Sequence, residues 1–150
     1  VAIIRSHTSD IKCTIIGALL DGDLPIVKRM YALCESLDIK LLINKTNDEV
    51  SSELAKHQYA LLPFPDGVTD KRGSALACLA NGLELVTTFS GKTPQWWKNI
   101  SDEFVGPENA AVIILESKKN KEGRKKEINK QMELRQWDNI AQAYSEVYLK

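Results

Sequence analysis

Four short runs, IKCTIIGA, IKLLIN, YALLPF and LELVTT, punctuate the chain between Ile11 and Thr88. Each is mostly apolar, rich in β-branched residues or leucine, and short. Such runs read as strands buried on both faces. The segments between them have helical spacing. Val27, Met30, Tyr31, Cys34 and Leu37 recur at i, i+3, i+4 and i+7 behind Pro25, a residue suited to a first helical turn. DEVSSELAKH forms a shorter helix after Asn47 and Asp48, the candidate caps. An apolar helix in GSALACLANG is closed by the stop signal Asn81-Gly82, and TPQWWKN reads as a further helix start with Thr93 as cap and Pro94 in the first turn. Strands alternating with helices on short connections imply parallel strands covered on both faces. The expected fold is α/β, a Rossmann-like three-layer α/β/α sandwich with a mostly parallel sheet. At 150 residues the chain has room for a single domain.

Two regions read less simply. AAVIIL has strand composition, yet the GPEN before it could cap a helix, and its length permits either. From Glu127 the pattern is helical to the end, with Trp137, Ile140, Ala141, Tyr144, Val147 and Tyr148 on one stripe.

The bulk properties exclude several function classes. Twenty basic and twenty acidic residues cancel, so net charge gives no reason to expect nucleic acid as a partner. No apolar run approaches the roughly 20 residues that span a bilayer, and the opening VAII is too short for a signal-peptide core. Cys13, Cys34 and Cys78 lack metal-type spacing and read as reduced thiols of a cytoplasmic protein; His7 and His57 stand far apart, so no metal site is expected. No G-x-G-x-x-G follows a strand and no G-x-x-x-x-G-K-S/T occurs, which disfavours dinucleotide oxidoreductases and P-loop NTPases.

In an open parallel sheet, ligands bind beyond the carboxyl ends of the strands. The loops to inspect follow Gly17, Asn44, Phe64 and Thr88, and the third, PFPDGVTDKRGSALACLANG, is the richest. Gly73 allows close backbone approach, and Ser74 can cap the helix or donate to an anion. The first N–H groups of GSAL lack helical partners, and the helix dipole favours negative charge there. Lys71 and Arg72 add positive charge beside them. The combination suits a phosphate or diphosphate, whereas the plain structural reading is an ordinary cap beside solvated charges.

ALLPFPDGVTDKRGSALACLANGLELVTT resembles the donor-binding segment in the C-terminal Rossmann-like domain of GT-B fold glycosyltransferases, group 1 type. NDEVSSELAKHQYALLPF is similar to the helix and strand that precede that segment in the family, and RQWDNIAQAYSEVY to its terminal helix. The resemblance implies a domain that binds a nucleotide-diphosphate sugar and transfers the sugar to an acceptor. Gly73 and Ser74 would receive the diphosphate, Lys71 and Arg72 would support it, and Asp66 and Gly67 would shape the loop near the transferred sugar. No cofactor and no metal are implied, and no catalytic residue lies in this chain. The acceptor half would be a separate N-terminal domain outside it, so residues 1–150 would be part of a larger two-domain enzyme, inactive alone. The resemblance also makes ENAAVIILESKK a helix.

Three departures qualify this reading. Many relatives carry a ribose-binding glutamate where this chain has Ala77, and a partner glutamate where it has Thr69. Glu84 replaces the proline usual after GL. GALLDGD carries no cation where the family clamps the diphosphate. Either the family's first strand lies upstream of Val1, or the domain has lost donor binding. A non-catalytic nucleotide-sugar-binding or scaffold module is therefore the alternative. A flavodoxin-like regulatory domain is disfavoured, because the first strand end lacks an acidic cluster.

Three smaller features complete the reading. KKNKEGRKKE, from Lys118, holds six basic residues; it reads as a solvated turn, or as a peripheral contact of Lys118–Lys126 with an anionic membrane. In QWW, one of Trp96 and Trp97 is expected in the core and the other at a domain interface. Asp66 and Asp70 are expected to shape the loop rather than act as an acid/base pair.

Overall fold

The computed structural model describes residues 2–7, 10–18, 24–116 and 121–136; the Trp137-to-Tyr148 stripe lies outside them. The described elements run α1 (Ala2–Arg5), β1 (Thr14–Gly17), α2 (Pro25–Ser36), β2 (Lys40–Ile43), α3 (Asn47–Leu54), β3 (Tyr59–Leu62), α4 (Gly73–Ala80), β4 (Glu84–Thr87), α5 (Gln95–Ile100), β5 (Ser101–Glu103), α6 (Pro107–Glu116) and α7 (Lys121–Leu134). Every strand pairing is parallel. The four expected strands are present, and AAVIIL lies within helix α6. The architecture is a Rossmann-like three-layer α/β/α fold.

One layer is built on the face of the strands that carries Ala60 and Leu85. Against these pack Leu54 of α3, Ala75, Cys78 and Leu79 of α4, and Trp97 and Ile100 of α5. On the opposite face of β4, Val86 is 1 % exposed and α6 packs over it with Ala110 and Ala111 buried. Alternation along one strand thus feeds two helix layers. Helix α1 packs on α6, and its Arg5 guanidinium donates to the carbonyls of Leu37 and Asp38 at the end of α2.

Several local expectations change. The strands form two sheets, β1-β2 and β3-β4-β5, rather than one, and no ladder joins β1 to β3. Strand β5 has the sequence SDE, too polar and short to show an apolar pattern. Helix α3 is capped by Thr46 rather than by Asn47 or Asp48: the Thr46 hydroxyl accepts from the Glu49 N–H, and the Glu49 carboxylate accepts from the Thr46 N–H. That reciprocal capping box satisfies two orphan donors at once. Thr93 does not cap α5; its hydroxyl accepts from the Ser90 N–H at 3.0 Å and closes the preceding loop. Part of the basic run is helical, since α7 begins at Lys121, and Arg124 is held by both oxygens of Asp102 at 2.7 Å. Among the described residues no helix is long and apolar enough to cross a membrane.

Glu53 is the one acidic residue buried among the described ones, and its carboxylate gathers charge from two elements. It accepts from Lys40 Nζ at 2.8 Å and Lys56 Nζ at 3.0 Å, with His57 Nε2 at 3.5 Å. The hydrogen bond from Lys40, then that from Lys56, holds its pKa down to about 2, against 4.5 for an ordinary glutamate. Because the folded value lies below the unfolded one, its contribution is complete above about pH 4.5 and is lost as pH falls toward 2. Glu53→Gln is expected to flatten the acid limb of stability against pH over that window. Chemical denaturation at stepped pH checks it; a limb as steep as that of the parent would count against this assignment.

Candidate functional site at the carboxyl edge

The loop from Pro63 to Arg72 is fastened to the end of β4 before it reaches α4. Thr87 Oγ1 donates to the Leu62 carbonyl at 2.7 Å, and Thr88 Oγ1 to the Phe64 carbonyl. The Val68 N–H donates to the Thr88 carbonyl at 2.9 Å. Gly67 lies beneath this crossing with φ +76°, and a Cβ there would stand 2.7 Å from the Ser90 nitrogen and 2.9 Å from the Phe89 carbonyl carbon. Only glycine combines that backbone with so close an approach. The consequence is functional geometry: the loops after β3 and β4 share one edge.

Between them opens a cleft of about 530 Å³, lined by Asp66, Thr69, Asp70, Lys71, Arg72, Lys92 and Pro94. Three cations therefore face one space. Arg72 is loosely held, 3.9 Å from Asp66 and 4.8 Å above the Phe64 ring. Lys71 and Lys92 are exposed and form no ion pair with the described residues. Arg72 is also the N-cap residue of α4, with no side-chain cap bond. Its carbonyl accepts from the N–H groups of Ala75 and Leu76, whereas Gly73 and Ser74 are exposed and begin the helix. Ser74 therefore does not cap the helix, and its hydroxyl is left for other work. An unfilled helix start beside three cations favours an anion.

Asp70 has a different task. Its Oδ1 accepts from Trp96 Nε1 and Trp97 Nε1, each at 3.0 Å, and from Arg135 Nη2 at 3.2 Å. The two indoles lie tilted with centroids 4.1 Å apart, and Arg135 sits 4.1 Å above the Trp96 ring. Of the two, Trp97 is the core tryptophan, and Trp96 is engaged within the chain by Asp70 and Arg135. One carboxylate thus ties the loop to α5 and to the end of α7. Through that one oxygen, Asp70 anchors the loop.

The structure accordingly brings Asp66, Lys71 and Arg72 to the cleft; Gly73 and Ser74 follow Arg72 at the start of α4 and do not line it, and Gly67 lies where the loops after β3 and β4 cross. Sequence reasoning missed Lys92, Thr69 and Pro94. Lys92 follows Thr88 by four residues in one of the carboxyl-edge loops, and only the crossing at Gly67 brings it beside Arg72. Among known proteins, no family model, no curated protein and no solved structure matches this chain.

Proposed function

We propose that residues 1–150 are the donor-binding half of a GT-B fold glycosyltransferase, with a nucleotide-diphosphate sugar as ligand. The observation that carries this reading is the convergence of Lys71, Arg72 and Lys92 on one open cleft, with Arg72 standing at the start of α4. The diphosphate lies across the start of α4, and the sugar extends toward Asp66 at the rim. During transfer, negative charge grows on the leaving diphosphate, and the N–H donors of the helix start together with three cations stabilise it. The resemblance assigns the task of taking the acceptor proton to no residue of this site. That task falls to a separate N-terminal acceptor domain, so the chain alone binds nucleotide without turning over.

Arg72→Ala and Lys92→Ala are each expected to weaken binding of a nucleoside diphosphate by roughly tenfold or more, the scale of one charge-assisted hydrogen bond. Calorimetric titration checks it; affinities equal to the parent's would remove both residues from the site. Thr69 and Ala77, standing where relatives carry glutamates, favour the second reading, a module that binds a nucleotide sugar without catalysis. Sugar transfer by the whole protein, abolished by Arg72→Ala, decides for the enzyme.

The same reading assigns the protein to the cytoplasm; for the basic run, contact with an anionic membrane is the alternative to a solvated turn. Replacing the lysines between Lys118 and Lys126 by glutamine is expected to weaken binding to phosphatidylserine vesicles in a sedimentation assay. Equal binding by parent and variant would assign the run to solvent.

A further inference from the structure

The two sheets stop short of one another at a particular pair of edges. Ile16 of β1 packs against the cluster that contains Ala60 of β3, Leu54 and Leu85, and no side chain of β2 does so. Strand β1 is therefore the inner edge of its sheet and β3 the inner edge of the other, with no hydrogen-bonded ladder between them. The Lys40 N–H donates to the Cys13 carbonyl and the Asn44 N–H to the Gly17 carbonyl. By the alternation of a parallel ladder, the backbone groups of Thr14 and Ile16 then point away from β2, into the seam. The Glu84 N–H donates to the Gln58 carbonyl, which turns the backbone groups of Leu61 into the seam from the other side.

The side chains add a second, independent sign. The outer edges carry charge: β2 begins at Lys40 and β5 contains Asp102 and Glu103. Charge is how proteins blunt an edge that faces water. The inner edges, TIIG and YALL, have no charge and no proline. Ile15 and Leu61, on the face opposite the Ile16–Ala60 cluster, are 37 % and 48 % exposed, although Val86 on that same face is 1 % exposed.

We infer that the seam is a slot for one further strand, apolar and parallel to β1 and β3, joined to the chain on the N-terminal side of α1. The source follows from the crossovers. Helix α2 lies with α1 and α6 in one layer and carries the chain outward from β1 to β2; α4 lies in the other layer and carries it outward from β3 to β4. Parallel crossovers are right-handed, so chains stepping in opposite directions use opposite layers. A seam strand connected through α1 steps outward to β1 in the layer of α2, with the required hand. Its carboxyl end would arrive beside Arg72 and Gly73, adding a loop to the cleft. The slot itself is independent of what that cleft binds.

Hydrogen exchange by NMR tests this on residues 1–150 and on the same chain extended by its own encoded residues before Val1. The slot predicts that the Ile16 and Leu61 amides exchange at least a hundredfold more slowly in the extended chain, at every protein concentration. Equal, fast exchange in both would overturn it. Protection of 1–150 that grows with concentration would assign the edges to a second copy instead. Paired Ile15→Cys and Leu61→Cys substitutions in the extended chain give a second readout, and both sites are exposed enough to spare the fold. An intervening strand keeps β1 and β3 about 9–10 Å apart, beyond disulfide reach. A disulfide closing readily between them would mean direct β1–β3 pairing and end the proposal.

Discussion

Trp97→Ala is expected to lower the unfolding free energy by about 3–5 kcal/mol, the range for emptying a buried aromatic site. Trp97 is fully buried in the cluster shared by α3, α4 and α5, and its indole N–H also donates to Asp70 Oδ1 at 3.0 Å. Two effects are therefore combined in one substitution. Trp97→Phe separates them, because it keeps most of the volume and loses chiefly the hydrogen bond to a charged acceptor, a loss of about 1.5–3 kcal/mol. Urea unfolding followed by circular dichroism, with the slope held in common, measures both. If Trp97→Ala cost no more than Trp97→Phe, the packing role would be refuted.

Gly67→Ala is the second large effect, expected to cost about 2–4 kcal/mol from left-handed backbone strain and backbone overlap together. The overlap lies against the Ser90 nitrogen and the Phe89 carbonyl carbon, which cannot rotate aside as a side chain would. Relief requires the loops after β3 and β4 to part. The Val68–Thr88 hydrogen bond should then open, read as faster exchange of the Val68 amide, and Lys92 should move away from Arg72. A loss of stability without faster Val68 exchange would place the strain elsewhere. Trp97→Ala should leave that hydrogen bond in place, so the two variants report on different halves of the site's support.

The apolar runs and helical stripes made the layer order legible, because burial of a strand on both faces leaves a local pattern. IKLLIN and LELVTT show this directly. Strand β5 escaped because SDE is an edge, where charge replaces the apolar pattern. The cap at Thr46 was readable from Thr46-x-x-Glu49, but Asn47 and Asp48 are equally good cap formers and sit in between. Of the candidate site, Asp66, Lys71, Arg72, Gly73 and Ser74 were visible because they fall within one short stretch of sequence. Lys92 was not, since its place depends on Gly67 meeting Ser90 across a long stretch of sequence. The division into two sheets is likewise a matter of which strands pair, and pairing is non-local.

The proposed function depends on a nucleotide diphosphate binding at the start of α4, beside Lys71, Arg72 and Lys92. An NMR titration of the chain with UDP, GDP and ADP and their sugars tests it most directly. Saturable shifts centred on the Gly73 and Ser74 amides are expected for at least one nucleotide, reduced in Arg72→Ala. No shift at these amides with any of them, in a folded parent chain, would contradict it.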